Sequence, residues 1–236
     1  MFKKHKRPYL YKLCLCLFLY LLIKPITLQS ADKKLNIKRL PNGQIKVGNI
    51  KVDPKKKEIT FLGYLSTYKP IDLEVLICTP YGRTHETVLI ADILPVNLQL
   101  ALLLLGKKNG ARLKNNQVQQ GDMLKIELTP LFGSKKRKFN INELIFNKKT
   151  EEIMKENKWV FVGTNFKNSI PLANQTGNIV NIWSFSNTIL DNPSKTGNSD
   201  DFMRLDLSYI GINQFIEDTT FNKKNYKFKI ILSSFK

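Results

Sequence analysis

A thiol and an imidazole, Cys78 and His85, stand seven residues apart in the stretch E-V-L-I-C-T-P-Y-G-R-T-H-E-T-V-L-I at 74–90. Two apolar runs of strand-like composition flank Pro80-Tyr81-Gly82-Arg83, a turn signal in which proline presets φ and glycine permits a tight bend. Read as an antiparallel hairpin with Tyr81 and Gly82 at its tip, the register sets Thr79 opposite Thr84 and Cys78 opposite His85. Directly opposed residues hold their Cβ atoms about 4.5–5.5 Å apart. At that separation a thiol and an imidazole can share a proton, lowering the thiol pKa, or bind one divalent metal between them. Glu86 would point to the opposite face of the same strand. The residues have a plain structural meaning too. Cysteine behaves as a small hydrophobe in a buried strand, and two ligands fall short of the four a closed zinc site takes.

A second set of possible ligands lies at 190–201, where Asp191, Asn192, Asp200 and Asp201 alternate with Ser, Thr and Gly. Calcium takes about 6–8 oxygen ligands, and carboxylates and amides of this kind supply them. The spacing is not that of an EF-hand loop, whose third and fifth positions would fall on Pro193 and Lys195. A turn-rich surface loop has the same composition. Beyond the leader there is no G-x-S-x-G elbow, no phosphate-cradling glycine loop, no H-E-x-x-H and no C-x-x-C.

The elements that must position these residues follow a leader. Residues 1–30 read as a signal peptide: Lys3, Lys4, Lys6, Arg7 and Lys12 precede an apolar run at 13–23, and Ser30-Ala31 offers a cleavage site. The run is about half the 20 residues of a membrane span, so an uncleaved inner-membrane anchor is the alternative reading. The expected location is periplasmic or secreted, with membrane contact only through the leader if it stays. Cleavage would remove Cys14, Cys16 and His5, leaving Cys78 as a lone thiol that cannot form an internal disulfide. The leader also holds six of the 38 Lys and Arg and none of the 19 Asp and Glu, so the remainder carries about +13 of the formal +19 charge. Most of these cations are lysines in an Asn- and Ile-rich chain, a compositional bias that needs no binding role. An exported chain without a basic helix or RNA-binding aromatics argues against a nucleic-acid partner.

Residues 31–43 are polar and read as a linker or frayed terminus, and 44–236 as one β-rich domain. Strands are predicted at 45–52, 58–66, 72–79, 84–91, 123–129, 137–146, 158–164, 177–185, 204–209 and 226–232. One helix is predicted at about 95–105, with Pro95 in its first turn, Asp92 or a neighbour as its cap, and Gly106 ending it. Its nearly all-round apolar surface predicts burial on more than one side, plugging the end of a sheet. The fold class expected is mostly β: a single-domain β-sandwich or open barrel of short antiparallel strands with one buried helix.

The segment C-x-P-x-G-[KR]-x-H-E, here Cys78 to Glu86, resembles the YdjY-domain family of exported bacterial proteins. The similarity continues through L-A-L-L-L-L-G ending at Gly106, W-V-F-V-G-T ending at Thr164, and Leu190-Asp191-Asn192-Pro193 with Asp200-Asp201. Thr87 departs from it where serine is usual, and keeps the hydroxyl. The resemblance implies that Cys78, His85, Glu86, Asp191, Asn192, Asp200 and Asp201 form the candidate site, and it assigns none of them a catalytic role. Two functions follow as expectations, beside a third idea, binding of an anionic glycan or lipid surface through the lysines. One is a non-enzymatic module that binds an envelope partner or ligand. The alternative is a metal- or thiol-dependent activity centred on Cys78 and His85, with a divalent metal as its possible cofactor.

Overall fold

The computed structural model describes residues 36–235 except 68, 70, 111–120, 134–136, 155–158, 183–186, 193–202, 206, 208–221 and 223–224. The leader therefore lies outside the described residues. The chain first builds a meander of β1 (Ile37–Arg39), β2 (Ile45–Val47), β3 (Ile50–Asp53) and β4 (Glu58–Leu65), each antiparallel to the next. The single strand expected over 45–52 is thus two. Gly48, at φ +57°, takes the left-handed conformation that lets Gly48-Asn49 turn the chain and set Val47 opposite Ile50. β1 extends this meander into the segment read as a linker. The Asp53-Pro54 turn forms as predicted, its carboxylate accepting hydrogen bonds from the backbone N–H groups of Lys55 and Lys56 at 3.1 and 3.0 Å.

After β4 come β5 (Val75–Cys78), β6 (Thr87–Ile90), helix α1 (Pro95–Leu104), β7 (Met123–Pro130) and β8 (Phe139–Asn140). Next are β9 (Ile145–Asn147), β10 (Glu152–Ile153), β11 (Trp159–Phe161), β12 (Phe166–Lys167), β13 (Ile170–Pro171) and the one-turn helix α2 (Leu172–Thr176). β14 (Asn178–Asn181), β15 (Leu190–Asp191), β16 (Met203–Leu205) and β17 (Lys227–Ser234) complete the described elements.

Eight of these strands close on themselves in the order β4, β17, β7, β11, β15, β14, β5, β6 and back to β4. The closing seam is short: Tyr64 pairs with Ile90 and Leu65 with Leu89, and the Ser66 hydroxyl donates to the Thr87 carbonyl. Closure removes the edges that an open sheet would leave unpaired. The mostly β reading holds as a barrel, but its strands are not all antiparallel. β5 pairs with β6, and β14 with β15, in parallel.

The long strands follow the period of two. In β4, Ile59, Phe61 and Leu65 are buried in the core, while Thr60, Leu62 and Tyr64 face away from it. β17 sends Phe228, Ile230 and Leu232 inward and β7 sends Leu124, Ile126 and Leu128, around the fully buried Trp159 and Phe161 of β11. Burying side chains of this size contributes about 1.5–3 kcal/mol each, which lets the fold stand without a disulfide.

Helix α1 ends as its sequence predicts. Gly106 (φ +78°) is the left-handed residue, Lys107 N–H donates to Leu102 O and Gly106 N–H to Leu103 O, both at 2.9 Å. Its start differs. Leu94 takes the N-cap position without a side-chain cap, and Asn174 of α2 reaches across to accept from Val96 N–H at 2.9 Å. The helix also buries one side rather than several. Leu98, Ala101 and Leu102 share a stripe set by 3.6-residue spacing and pack toward β2, β3 and α2, leaving Leu103 and Leu104 exposed.

Candidate functional site

The apolar runs around Pro80-Tyr81-Gly82-Arg83 form no hairpin. Val75 pairs with Thr87, Ile77 with Leu89, and Cys78 with Ile90, all in parallel register. Residues 79–86 therefore carry the chain back along the length of β5 before β6 begins. Parallel neighbours usually need a crossover of about a dozen residues or more, and here eight suffice because both strands are only four residues long. The predicted opposition of Cys78 and His85 required the antiparallel register, and the structure replaces it.

Cys78 is fully buried, in a small cluster with Val75, Ile90 and the partly buried Tyr64. One cross-strand row runs Tyr64, Ile90, Cys78, Asn178 across β4, β6, β5 and β14. The return segment lies over this cysteine. A Cβ at Gly82 would sit 2.9 Å from Cys78 Cβ and 3.0 Å from the Gly177 carbonyl oxygen, so only glycine allows the turn to come this close. Thr79 N–H donates to that same carbonyl at 2.8 Å. Gly177 stands at φ +73°, where it ends α2 and meets Gly82 backbone to backbone.

Arg83 holds the other end of the crossover. Its Nη1 lies 2.5 Å from Glu74 Oε2 and 2.7 Å from Glu86 Oε1. Glu74 and Glu86 are the residues just before the paired starts of β5 and β6, and Glu74 N–H donates to Glu86 O at 3.1 Å. One guanidinium thus joins the heads of two parallel strands. Thr84–Glu86 form a single 3-10 turn whose His85 side chain is 80% exposed, with Nε2 3.9 Å from Glu86 Oε2. The structure brings His85 and Glu86 together, and it sets His85 in solvent while Cys78 is enclosed.

Asp191 and Asn192 are fully buried, so the start of the segment read as an acidic loop belongs to the barrel wall. Asp191 is paired with Val160 of β11, and Leu190 with Val180 of β14. β14 alone separates the strand of Asp191 from that of Cys78. Asp200 and Asp201 lie outside the described residues. Among the described residues no group of three or more His, Cys, Asp and Glu is placed to hold a metal ion.

The YdjY domain matches over residues 50–214. This chain belongs to the YdjY-domain family. The matched span begins at β3 and includes the parallel crossover, the buried Asp191-Asn192 pair and both helices. No curated protein and no solved structure matches the chain.

Another feature escaped the sequence reading, a lysine-lined groove on the outer face of β2, β3, β4 and β17. Lys46, Asn49, Lys51, Thr60, Leu62, Asp92 and Lys229 border about 440 Å³ of space. Alternation within each predicted strand shows which lysines face outward. It does not show which strands will be neighbours.

Proposed function

We propose that this YdjY-family chain is an exported, non-enzymatic binding module of the cell envelope. The observation that carries this reading is the division of labour within C-x-P-x-G-R-x-H-E. Cys78 is enclosed in the barrel wall, Gly82 makes the close approach over it, and Arg83 ties Glu74 to Glu86. These roles are structural. Tyr81, after the tail of β5, and His85, just before the head of β6, are then left in solvent, 55% and 80% exposed, where side chains of this kind contact a partner.

A thiol- or metal-dependent activity would need Cys78 as an accessible thiolate beside His85. The test is thiol labelling of the native protein near neutral pH, with elemental metal analysis of the same sample. The binding-module reading expects labelling only after denaturation, and a metal content unchanged by His85→Ala. Rapid native labelling that slows in His85→Ala, or stoichiometric metal lost in that variant, would overturn it.

A further inference from the structure

We infer that the outer face of β2, β3, β4 and β17 is a binding site for an acidic polysaccharide. The site is distinct from the crossover, and only its choice of an envelope partner rests on the binding-module reading.

The first observation is a line of like charges. Lys38 on β1 is directly opposite Lys46 on β2, and Lys46 is directly opposite Lys51 on β3. All three are exposed, on the face away from α1. Directly opposed like charges destabilise a sheet, and neighbouring strands are only about 4.8 Å apart. Some lysines elsewhere are neutralised: Glu127 takes both Lys125 and Lys138, at 3.5 and 2.6 Å, and Asp72 takes Lys148 at 2.5 Å. Lys38, Lys46, Lys51 and Lys229 make no ion pair with a described carboxylate. In a larger groove nearby, Lys125 and Lys138 are both already held by Glu127.

The second observation is what lies beside the line. Leu62, 55% exposed, stands directly opposite Lys229 and forms an apolar patch in the groove. Asn49, Thr60 and Asp92 supply hydrogen-bonding groups around it. Asn49 Nδ2 donates to the Asp92 carbonyl at 2.9 Å, which fixes this corner. A sugar acid matches the set: its carboxylates meet the lysines, the C–H face of its ring covers Leu62, and its hydroxyls reach Asn49, Thr60 and Asp92. The Asp92 carboxylate is suited to accept from a hydroxyl, a group that every sugar ring of a glycan offers and a DNA backbone does not. This favours a glycan over nucleic acid or an anionic lipid surface, and the cations form a line rather than the broad field a bilayer would engage.

The test uses the mature protein and a fluorescently labelled oligogalacturonate, with binding read by anisotropy at low ionic strength. Lys46→Gln/Lys51→Gln should weaken binding about tenfold, the loss of two exposed ion pairs of middling strength. The charge-matched control Lys108→Gln/Lys167→Gln should weaken it less than about twofold, with both variants still folded by thermal unfolding. Equal weakening in the two variants, or no binding to the wild type, would overturn the proposal. So would tighter binding of duplex DNA or phosphatidylglycerol vesicles through Lys46 and Lys51. An unreactive Cys78 with no glycan binding would sink this site alone, whereas a reactive Cys78 with glycan binding intact would sink only the binding-module account of the crossover.

Discussion

Glu74 and Glu86 stand at the heads of two parallel strands, and a single nitrogen of Arg83 reaches both carboxylates at 2.5 and 2.7 Å. Without a countercharge there, the two acids would repel at the point where β5 and β6 must begin side by side. Arg83 comes from the segment that connects them, so the link is made by the crossover itself.

Replacing Arg83 should therefore act on the crossover rather than on the core. Arg83→Met is expected to destabilise by about 1 kcal/mol at low salt, the order of an exposed ion pair shared between two acids. Arg83→Lys should recover only part of this, since a compact ammonium lacks the guanidinium fork. Adding Glu74→Gln to Arg83→Met should cost less than the sum of the single changes. Chemical denaturation of the four proteins measures that coupling, and strict additivity would contradict the shared contact.

The packing of Gly82 on Gly177 makes a second expectation. A Cβ on Gly82 would press on Cys78 Cβ at 2.9 Å, and one on Gly177 would lie 2.8 Å from Gly82 Cα while also adopting a positive φ. Gly82→Ala and Gly177→Ala should each destabilise by about 1–3 kcal/mol, the range for overpacking a filled site. Gly43→Ala serves as the comparison: its φ is also positive, but its Cβ would meet nothing within 4 Å. A fall in Tm no larger at Gly177 than at Gly43, which share the positive φ, would rule out the close approach.

Some of this was legible in the sequence and some was not, for physical reasons. β4, β7 and β17 are eight residues long, and burial alternates through β4 and β7 and the first half of β17, so their existence and inward faces could be read directly. The Gly106 stop was equally plain. The parallel return at 79–86 was not, because Pro-Tyr-Gly-Arg has the composition of a hairpin tip. What decides between the two is the distant partner of each strand: β6 pairs with β4, and β5 pairs with β14. Two-residue β15 has no period to read, so Asp191 looked like the start of a surface loop. The expected pairing of Cys78 with His85 rested on the wrong chain direction.

Tyr64 gives the fold a pH dependence of predictable sign. Burial first, then the Asp92 carboxylate and the Cys78 thiol, push its phenol above the ordinary 10.0. The folded state thus favours the neutral phenol while the unfolded chain ionises earlier. Its contribution to stability is complete below pH 10.0 and is lost as pH rises through the higher folded value. Tyr64→Phe removes this titration, so the gap in Tm between wild type and variant should shift in favour of the variant as pH is raised from about 9 to 11. Lysine titration is common to both proteins and drops out of the difference. A gap that does not change with pH would contradict the shifted phenol.

The lysine line should reveal itself in stability before any ligand is added. Lys46 is flanked by Lys38 on one side and Lys51 on the other, so Lys46→Gln relieves both repulsions. It is expected to stabilise the protein by about 0.5 kcal/mol at low ionic strength. The gain should vanish near 1 M salt, where the screening length falls to about 3 Å. Lys148→Gln should do the opposite, because Lys148 is paired with Asp72 and its removal leaves that acid without this partner. Thermal unfolding of both variants across a salt series separates a repulsive row from an ordinary cationic surface. A loss of stability in Lys46→Gln that matches Lys148→Gln would mean the row is not repulsive. Stabilisation together with weaker glycan binding would show these lysines to be held in place for recognition at a cost to the fold.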